Sequence, residues 1–414
     1  MEGSGNMEHL VQTVMEAAAR CSCGRHEPVV MKPIVVEAGA LQKIAPYLKA
    51  EGYRDIVLVA DSQTFEAAGR AVAERLEAAG IRCRNVLVRP DEQGDVVADE
   101  RSIVQVMLDV SPESTDLLIA AGSGTLHDIV RFVAYHMNKP FLSVPTAPSV
   151  DGFTSKGAPV IVRGRKVTVP ASAPVAIFAD LTVLASAPQP MVAAGFGDML
   201  GKYTSLFDWS FSARIAGEPY CPAAAELTAV ALQACVEHAD AIAQRTEEGI
   251  RTLMNALIQS GLAMLIFGQS HPASGAEHHL SHYWEMEYLR LGRKQLLHGA
   301  KVGVACAEIS GLYHRIVRDN PFAAALRRNA DELGNGDGGK LAAIGEQWEA
   351  IRKLAADIPP PERLRELLRK VGGPADPAQL GVDAGLLDAS LREAHLLRDR
   401  YTVLKAYHEL AARP

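Results

Sequence analysis

Residues 116–137 read DLLIAAGSGTLHDIVRFVAYHM, and the fold class turns on that stretch. An apolar run reaches Ala121, the turn Gly122-Ser123-Gly124-Thr125 follows, and a helical pattern begins at once. Glycine at such a junction lets the backbone approach a ligand closely, and the unpaired amides of a helix start can receive a pyrophosphate. A plain strand-to-helix turn uses the same residues, so the flanking sequence has to decide between the two.

The flanks repeat the pattern. From about residue 33 to residue 186, short apolar runs alternate with helical stretches, the mark of βα units and a parallel sheet. Strands are predicted at DIVLVA (55–60), RNVLV (84–88), DLLIAA (116–121), FLSVP (141–145), PVIV (159–162) and VAIFAD (175–180). Between the first two, SQTFEAAGRAVAERLEAAG sets Phe65, Ala68, Val72 and Leu76 at helical spacing. After Pro188-Gln-Pro190 the β-branched runs thin out, and long Ala- and Leu-rich segments at helical period take over. The expectation is an α/β nucleotide-binding domain over 1–187 and a helical domain over 188–414, with DELGNGDGGK (331–340) an exposed loop and a helical extension over 341–412.

At 414 residues the chain suits two domains, and 48% hydrophobic with 22% charged residues is the balance of a globular protein. A net charge of -7 offers no basic field to a phosphate backbone, which argues against a nucleic-acid partner. No stretch approaches eighteen uninterrupted apolar residues, and the N-terminus MEGSGNMEHLVQTVMEAAARC has no apolar signal core. A cytoplasmic protein with no membrane partner is expected. The six cysteines do not make a disulfide scaffold in a chain of this size. Cys21-Ser-Cys23-Gly-Arg-His26 has a spacing that suits a soft metal, but a structural zinc site needs four ligands and no second pair stands nearby in the sequence.

Chemistry-bearing residues gather around the same turns. Asp61 ends a strand, where a carboxylate either takes an adenosine ribose or caps the next helix, and the two roles are compatible. As a ribose ligand it disfavours a 2′-phosphate and tilts the choice to NAD. In SVPTAPSVDGFTSKGAPV, Thr146, Ser149 and Ser155 suit phosphate or ribose contacts and Asp151 a substrate hydroxyl, although turn chemistry alone explains each. GFGDMLGKYTSLFDW carries Asp198 near a helix start, a cap or a hard ligand for a divalent ion. GAEHHLSHYWEM sets His278 and His282 on one helix face, and LLHGAKVGVA adds His298 beside Gly299. One Asp and two His from three elements, with open positions, is the arrangement a catalytic metal requires.

Taken in order, AGSGTLHD, VPTAPSVDGFTS, GFGDMLGKYTSLFDW, SGAEHHLSHYWE and LLHGAKVG resemble the motifs of the superfamily of dehydroquinate synthases, glycerol dehydrogenases and iron-containing alcohol dehydrogenases, over roughly residues 30–320. Within it the chain resembles above all the sn-glycerol-1-phosphate dehydrogenases, in their bacterial AraM-type branch. The resemblance implies a dehydroquinate synthase-like fold: an N-terminal Rossmann-like α/β domain, an all-α C-terminal domain and an active site in the cleft between them. It implies that Gly122, Ser123, Gly124, Thr125 and Leu126 cradle the NAD pyrophosphate. Thr146, Ala147, Pro148, Ser149 and Ser155 would contact the cofactor, and Asp61 the adenosine ribose. Asp198, His278 and His298 would bind one divalent metal ion, nickel by the bacterial branch and zinc by the archaeal one. Asp151 and His282 would be the catalytic residues facing the substrate, together with Asp198.

The first histidine of the HxxxH pair is the ligand in the superfamily, so His279 is expected to point to solvent or to a supporting contact. The activity implied is reversible reduction of dihydroxyacetone phosphate with the reduced form of NAD or of NADP as hydride donor, in a homodimer, with the phosphate of this three-carbon substrate met by Lys202 or Lys301. The alternatives are a glycerol or other polyol dehydrogenase and a non-catalytic nucleotide-binding protein. Two departures stand out. Ala121 and Arg131 replace a glycine and a lysine often found at the family's glycine turn, and Asp198 stands where the synthases have glutamate.

Overall fold

The computed structural model describes residues 5–24, 26–328 and 335–412. Its N-terminal half carries β1 (Ile34–Glu37), β2 (Asp55–Ala60), β3 (Arg82–Leu87), β4 (Leu117–Gly122), β5 (Phe141–Pro145), β6 (Gly157–Val162), β7 (Arg165–Pro170) and β8 (Ala176–Asp180). The helices that matter for the site are α1 (Gly5–Arg20), α2 (Gly124–His136), α3 (Gln189–Leu200), α4 (Lys202–Ala216), α5 (Pro222–Glu237), α6 (Glu247–Phe267), α7 (Ala276–Arg290) and α8 (His298–Asp319).

Six strands form a parallel sheet in the order β1-β8-β5-β4-β2-β3. Every residue of β4, β5 and β8 is buried, because helices cover both faces, and this is why they read as unbroken apolar runs. Alternate residues serve opposite faces. Ile56, Leu58 and Ile119 pack with Val72 and Leu76 on one side, while Val57, Val59 and Leu118 pack with Ile129 and Val133 of α2 on the other. From β2 the chain goes outward to β3, then returns to the opposite flank of β2 as β4. The carboxyl ends of β2 and β4 therefore form a topological switch point, where open α/β sheets bind ligands, and Asp61 and Ser123 are the residues that follow those ends.

Two strand expectations need correction. Segment 159–162 is not in the parallel sheet: it belongs to β6, which pairs antiparallel with β7. Arg163 and Gly164 both take positive φ, 52° and 72°, which gives the two-residue turn whose twist matches a hairpin. The sixth parallel strand is β1, too short at four residues to stand out in sequence. A third correction concerns 331–340. Residues 331–334 lie outside the described ones, but a helix begins at Asn335 and runs to Glu346. Leu341 and Ile344 join a core cluster, and that burial overrides the poor helix propensity of the glycines.

Beyond β8 the described chain is helical. The longest apolar helix, α6, meets the length and hydropathy of a membrane span, yet 72% of that window is buried inside the fold. Helix α1 joins the same core, with Val11, Val14 and Ala18 packed among residues of α5 and α6.

Glycine sets the distance between α3 and α8. A Cβ on Gly299 would overlap the Ala194 carbonyl, one on Gly197 would overlap the Gly299 carbonyl, and one on Gly303 would stand 2.9 Å from the Gly197 Cα. The glycines of GFGD and HGAKVG thus let two helix backbones touch, and the touch brings Asp198 beside His298. Gly299→Ala is expected to force the helices apart, to destabilise the protein by about 1–3 kcal/mol and to lower its metal content. Denaturant midpoints and metal analysis of the purified variant check both effects.

Candidate active site

Asp198, which lies near the end of α3 and not near a helix start as expected, His278 of α7 and His298 at the start of α8 converge, each offering a donor atom within 4.8 Å of the other two. Asp198 is fully buried and its carboxylate is held on both sides. Oδ2 accepts the Asp151 backbone N–H at 3.0 Å, and Oδ1 accepts the Lys202 ammonium at 3.0 Å and lies 3.9 Å from His278 Nε2. Lys202 Nζ also lies 2.8 Å from Asp151 Oδ2, which in turn accepts the Ser260 hydroxyl at 2.8 Å. Burial works against the Lys202 charge, but the two carboxylates outweigh it and its pKa stands above the ordinary value.

A carboxylate orients the first histidine. His278 Nδ1 meets Glu277 Oε1 at 2.7 Å, and Glu277 is itself fixed by the Thr204 hydroxyl and the Gly275 N–H, each at 2.6 Å. Burial opposes the Glu277 charge, yet the bond to His278 and the other donors hold its pKa down at about 2. A carboxylate on Nδ1–H leaves the Nε2 lone pair turned to Asp198, the arrangement usual behind a metal-bound imidazole. The donor set fits a divalent metal ion.

His282 lies one turn along α7, its ring 6.1 Å from that of His278 and 6.0 Å from that of His298. Burial pushes both His282 and His298 well below the usual histidine pKa, so both are neutral, with a lone pair to offer. His279 does not reach solvent, contrary to one of its expected placements. It is fully buried, with no hydrogen-bond partner for either ring nitrogen among the described residues, and burial pushes its pKa down to about 3.

Of these groups Asp151, His278, His282 and His298 line one cleft of about 420 Å³ between the carboxyl end of the sheet and the helices, while Asp198, Lys202 and Glu277 stand behind them. Ser123, Gly124, Thr125 and Leu126 form one wall of it, and Asp61, Ser149, Asp151 and Ser155 reach it as well. The N-cap of α2, Ser123, makes no side-chain cap bond, which leaves the first amides of a 13-residue helix for a ligand. At Gly124 a Cβ would stand 3.0 Å from Val150 Cγ2, so glycine keeps that approach open. The turn therefore fits a dinucleotide pyrophosphate.

Other expected cofactor residues sit one layer back. Gly122, Thr146, Ala147 and Pro148 do not line the cleft; Thr146 N–H bonds the Gly122 carbonyl at 3.0 Å, and the Pro148 carbonyl presses on Gly195. Asp61 is a helix cap, its Oδ1 accepting Thr64 N–H at 2.8 Å, and still faces the cleft. Arg131, the departure from the family lysine, is fully buried and holds the following loop: it bonds Asp128 at 2.7 Å and the Gly152 carbonyl at 2.6 Å.

The far end of the cleft is cationic in a way the sequence did not show. Neither Lys202 nor Lys301 is a solvated surface lysine: both are buried, and of the two only Lys301 lines the cleft. Glu285 lies 2.8 Å from Lys166 and 3.1 Å from Lys301, and Arg398 stands at the same end with no carboxylate at ion-pair distance among the described residues. Lys166 comes from the unforeseen hairpin and Arg398 from the C-terminal tail. Glu277 and Ser260 were likewise not singled out, since an acid beside a histidine and a serine in an apolar helix carry no spacing signal.

Fold and site together define a nucleotide-linked dehydrogenase of the iron-containing alcohol dehydrogenase type. A sequence profile of iron-containing alcohol dehydrogenases matches residues 35–188. The maleylacetate reductase of Rhizobium sp. strain MTP-10005 shares the fold at a TM-score of 0.65 over 94% of this chain and 99% of that one, at 16% identity. Glycerol-1-phosphate dehydrogenase (NAD(P)+) of Geobacillus stearothermophilus is 50% identical over 406 residues, 98% of this chain and 99% of the relative. The enzyme of the same name from Methanosarcina barkeri is 30% identical over 377 residues, 90% of each chain. The chain belongs to the glycerol-1-phosphate dehydrogenase family.

Proposed function

We propose that the chain reduces dihydroxyacetone phosphate to sn-glycerol 1-phosphate, reversibly, with NAD(P)H and one divalent metal ion, nickel or zinc, held by Asp198, His278 and His298. One observation carries this beyond family membership: His278 and His298 of the Asp/His/His cluster line the same cleft as the α2 amides and the cationic end formed by Lys166, Lys301 and Arg398, with Asp198 buried directly behind the two histidines. A glycerol or polyol dehydrogenase has no use for that cationic end.

When bound, the nucleotide supplies the hydride and the metal ion polarises the carbonyl oxygen. The chain's own residues do the rest. The α2 amides hold the pyrophosphate, and Asp61 accepts from the adenosine ribose, which favours NAD over NADP. Arg398 and Lys301 grip the substrate phosphate. His282 and Asp151 orient the carbon skeleton, Asp151 being fixed for this by Lys202 and Ser260. The proton that completes the alcohol comes through water or a nearby hydroxyl relay. The resemblance adds a homodimer in the cytoplasm.

Chiral analysis of the product made from dihydroxyacetone phosphate by the metal-reconstituted protein tests this reading; sn-glycerol 1-phosphate is expected, and the 3-phosphate would overturn it. Lys301 adds a pH dependence. Burial pushes its pKa down to about 8 against the pull of Glu285, so its charge is present below that pH and lost above it. The kcat/KM for dihydroxyacetone phosphate is expected to fall as pH rises through about 8. In Lys301→Arg, whose guanidinium stays charged, that fall is absent.

A further inference from the structure

The segment CSCGRH acquires in the fold the fourth partner it lacks in sequence. Cys21 and Cys23 follow the end of α1, His26 lies three residues on, and Cys221 enters from the start of α5, 195 residues beyond His26. Cys23 Sγ lies 3.2 Å from His26 Nε2, His26 Nε2 lies 3.3 Å from Cys221 Sγ, and Cys21 Sγ lies 3.8 Å from Cys221 Sγ. All four donor atoms fall within 4.8 Å of one another.

Three soft sulfurs and one imidazole are a closed tetrahedral donor set, the kind that holds structural zinc. Four ligands at about 2.0–2.3 Å from one ion put two sulfurs roughly 3.8 Å apart, the separation seen between Cys21 and Cys221. It is far beyond the roughly 2.05 Å of a disulfide, and all six cysteines are free. Cys221 Sγ also accepts the Ala224 N–H at 3.3 Å, a backbone donor of the sort that steadies a thiolate ligand at a helix start. None of the four lines the catalytic cleft.

We propose that Cys21, Cys23, His26 and Cys221 bind a structural zinc ion, separate from the catalytic metal. The ion straps the segment after α1 to the first turn of α5, where Glu27 N–H already bonds the Ile266 carbonyl at 2.9 Å at the end of α6. It thereby fastens the N-terminal helix onto the helical core. The inference stands independently of the substrate assigned above.

The test uses full-length protein produced with zinc, in the His278→Ala background so that the catalytic position does not contribute. Metal analysis is expected to find about one zinc per chain that survives dialysis against a mild chelator. Zinc K-edge absorption should fit three sulfurs and one nitrogen. Adding Cys221→Ser or His26→Ala should remove that zinc, and circular dichroism reports whether each variant is folded. Should both unfold, the absorption spectrum of the His278→Ala protein decides alone. A His278→Ala protein that retains no zinc and whose Cys21, Cys23 and Cys221 all react with a thiol reagent overturns the proposal, as does a disulfide between Cys21 and Cys221.

Discussion

His278→Ala protein is expected to lose the metal ion of the cleft and to reduce dihydroxyacetone phosphate at least about a thousandfold more slowly, since the Lewis acid goes with the ligand. The expectation rests on convergence. Asp198 is clamped by Lys202 and the Asp151 amide, His278 by Glu277, and His298 by its place on a helix that glycine lets touch α3. Removing the central imidazole leaves one carboxylate and one histidine, too few for a firm site. The neighbouring histidines separate the roles. His282→Ala should keep the metal and lose activity, whereas His279→Ala should keep the metal. Metal content per chain, measured beside turnover, distinguishes the three. An emptied site in His279→Ala alone would show the ligand assignment to be wrong.

Arg398→Ala is expected to lower kcat/KM for dihydroxyacetone phosphate by about 10- to 100-fold, the range for loss of a charged hydrogen bond, and to leave the weak reaction with unphosphorylated dihydroxyacetone nearly unchanged. Among the described residues, Arg398 is the cation at that end of the cleft with no carboxylate at ion-pair distance. Lys166 and Lys301 share Glu285, whose carboxylate they and their neighbours hold well below the usual range despite its burial. A guanidinium in the cleft with His282, and with no carboxylate partner among the described residues, is available for a phosphate. Steady-state kinetics with the two ketones checks the contrast. Equal losses on both would show that Arg398 supports the fold rather than the phosphate.

The parallel sheet was legible in sequence where burial is two-sided, because β2, β4, β5 and β8 are then written as continuous apolar runs. It was illegible at β1, which is only four residues long, and at β6, whose apolar run belongs to a hairpin closed by two residues in a left-handed conformation. The same division holds at the site. Asp198, His278 and His298 stand in segments with helical spacing and glycine neighbours, so the ordered motifs pointed to them. The residues that support them did not announce themselves, since Glu277, Ser260, Lys166 and Arg398 are ordinary until the chain folds them against the cleft. Cys221 is the extreme case, 200 residues from Cys21 and indistinguishable in sequence from a small buried residue.

The most direct measurement of the central claim compares nucleotide oxidation by the metal-reconstituted protein with dihydroxyacetone phosphate and with dihydroxyacetone under identical conditions. A large preference for the phosphorylated ketone, lost on chelation and regained with nickel or zinc, is the predicted result. A clear preference for the unphosphorylated ketone, or no turnover of either after metal is restored, would contradict it.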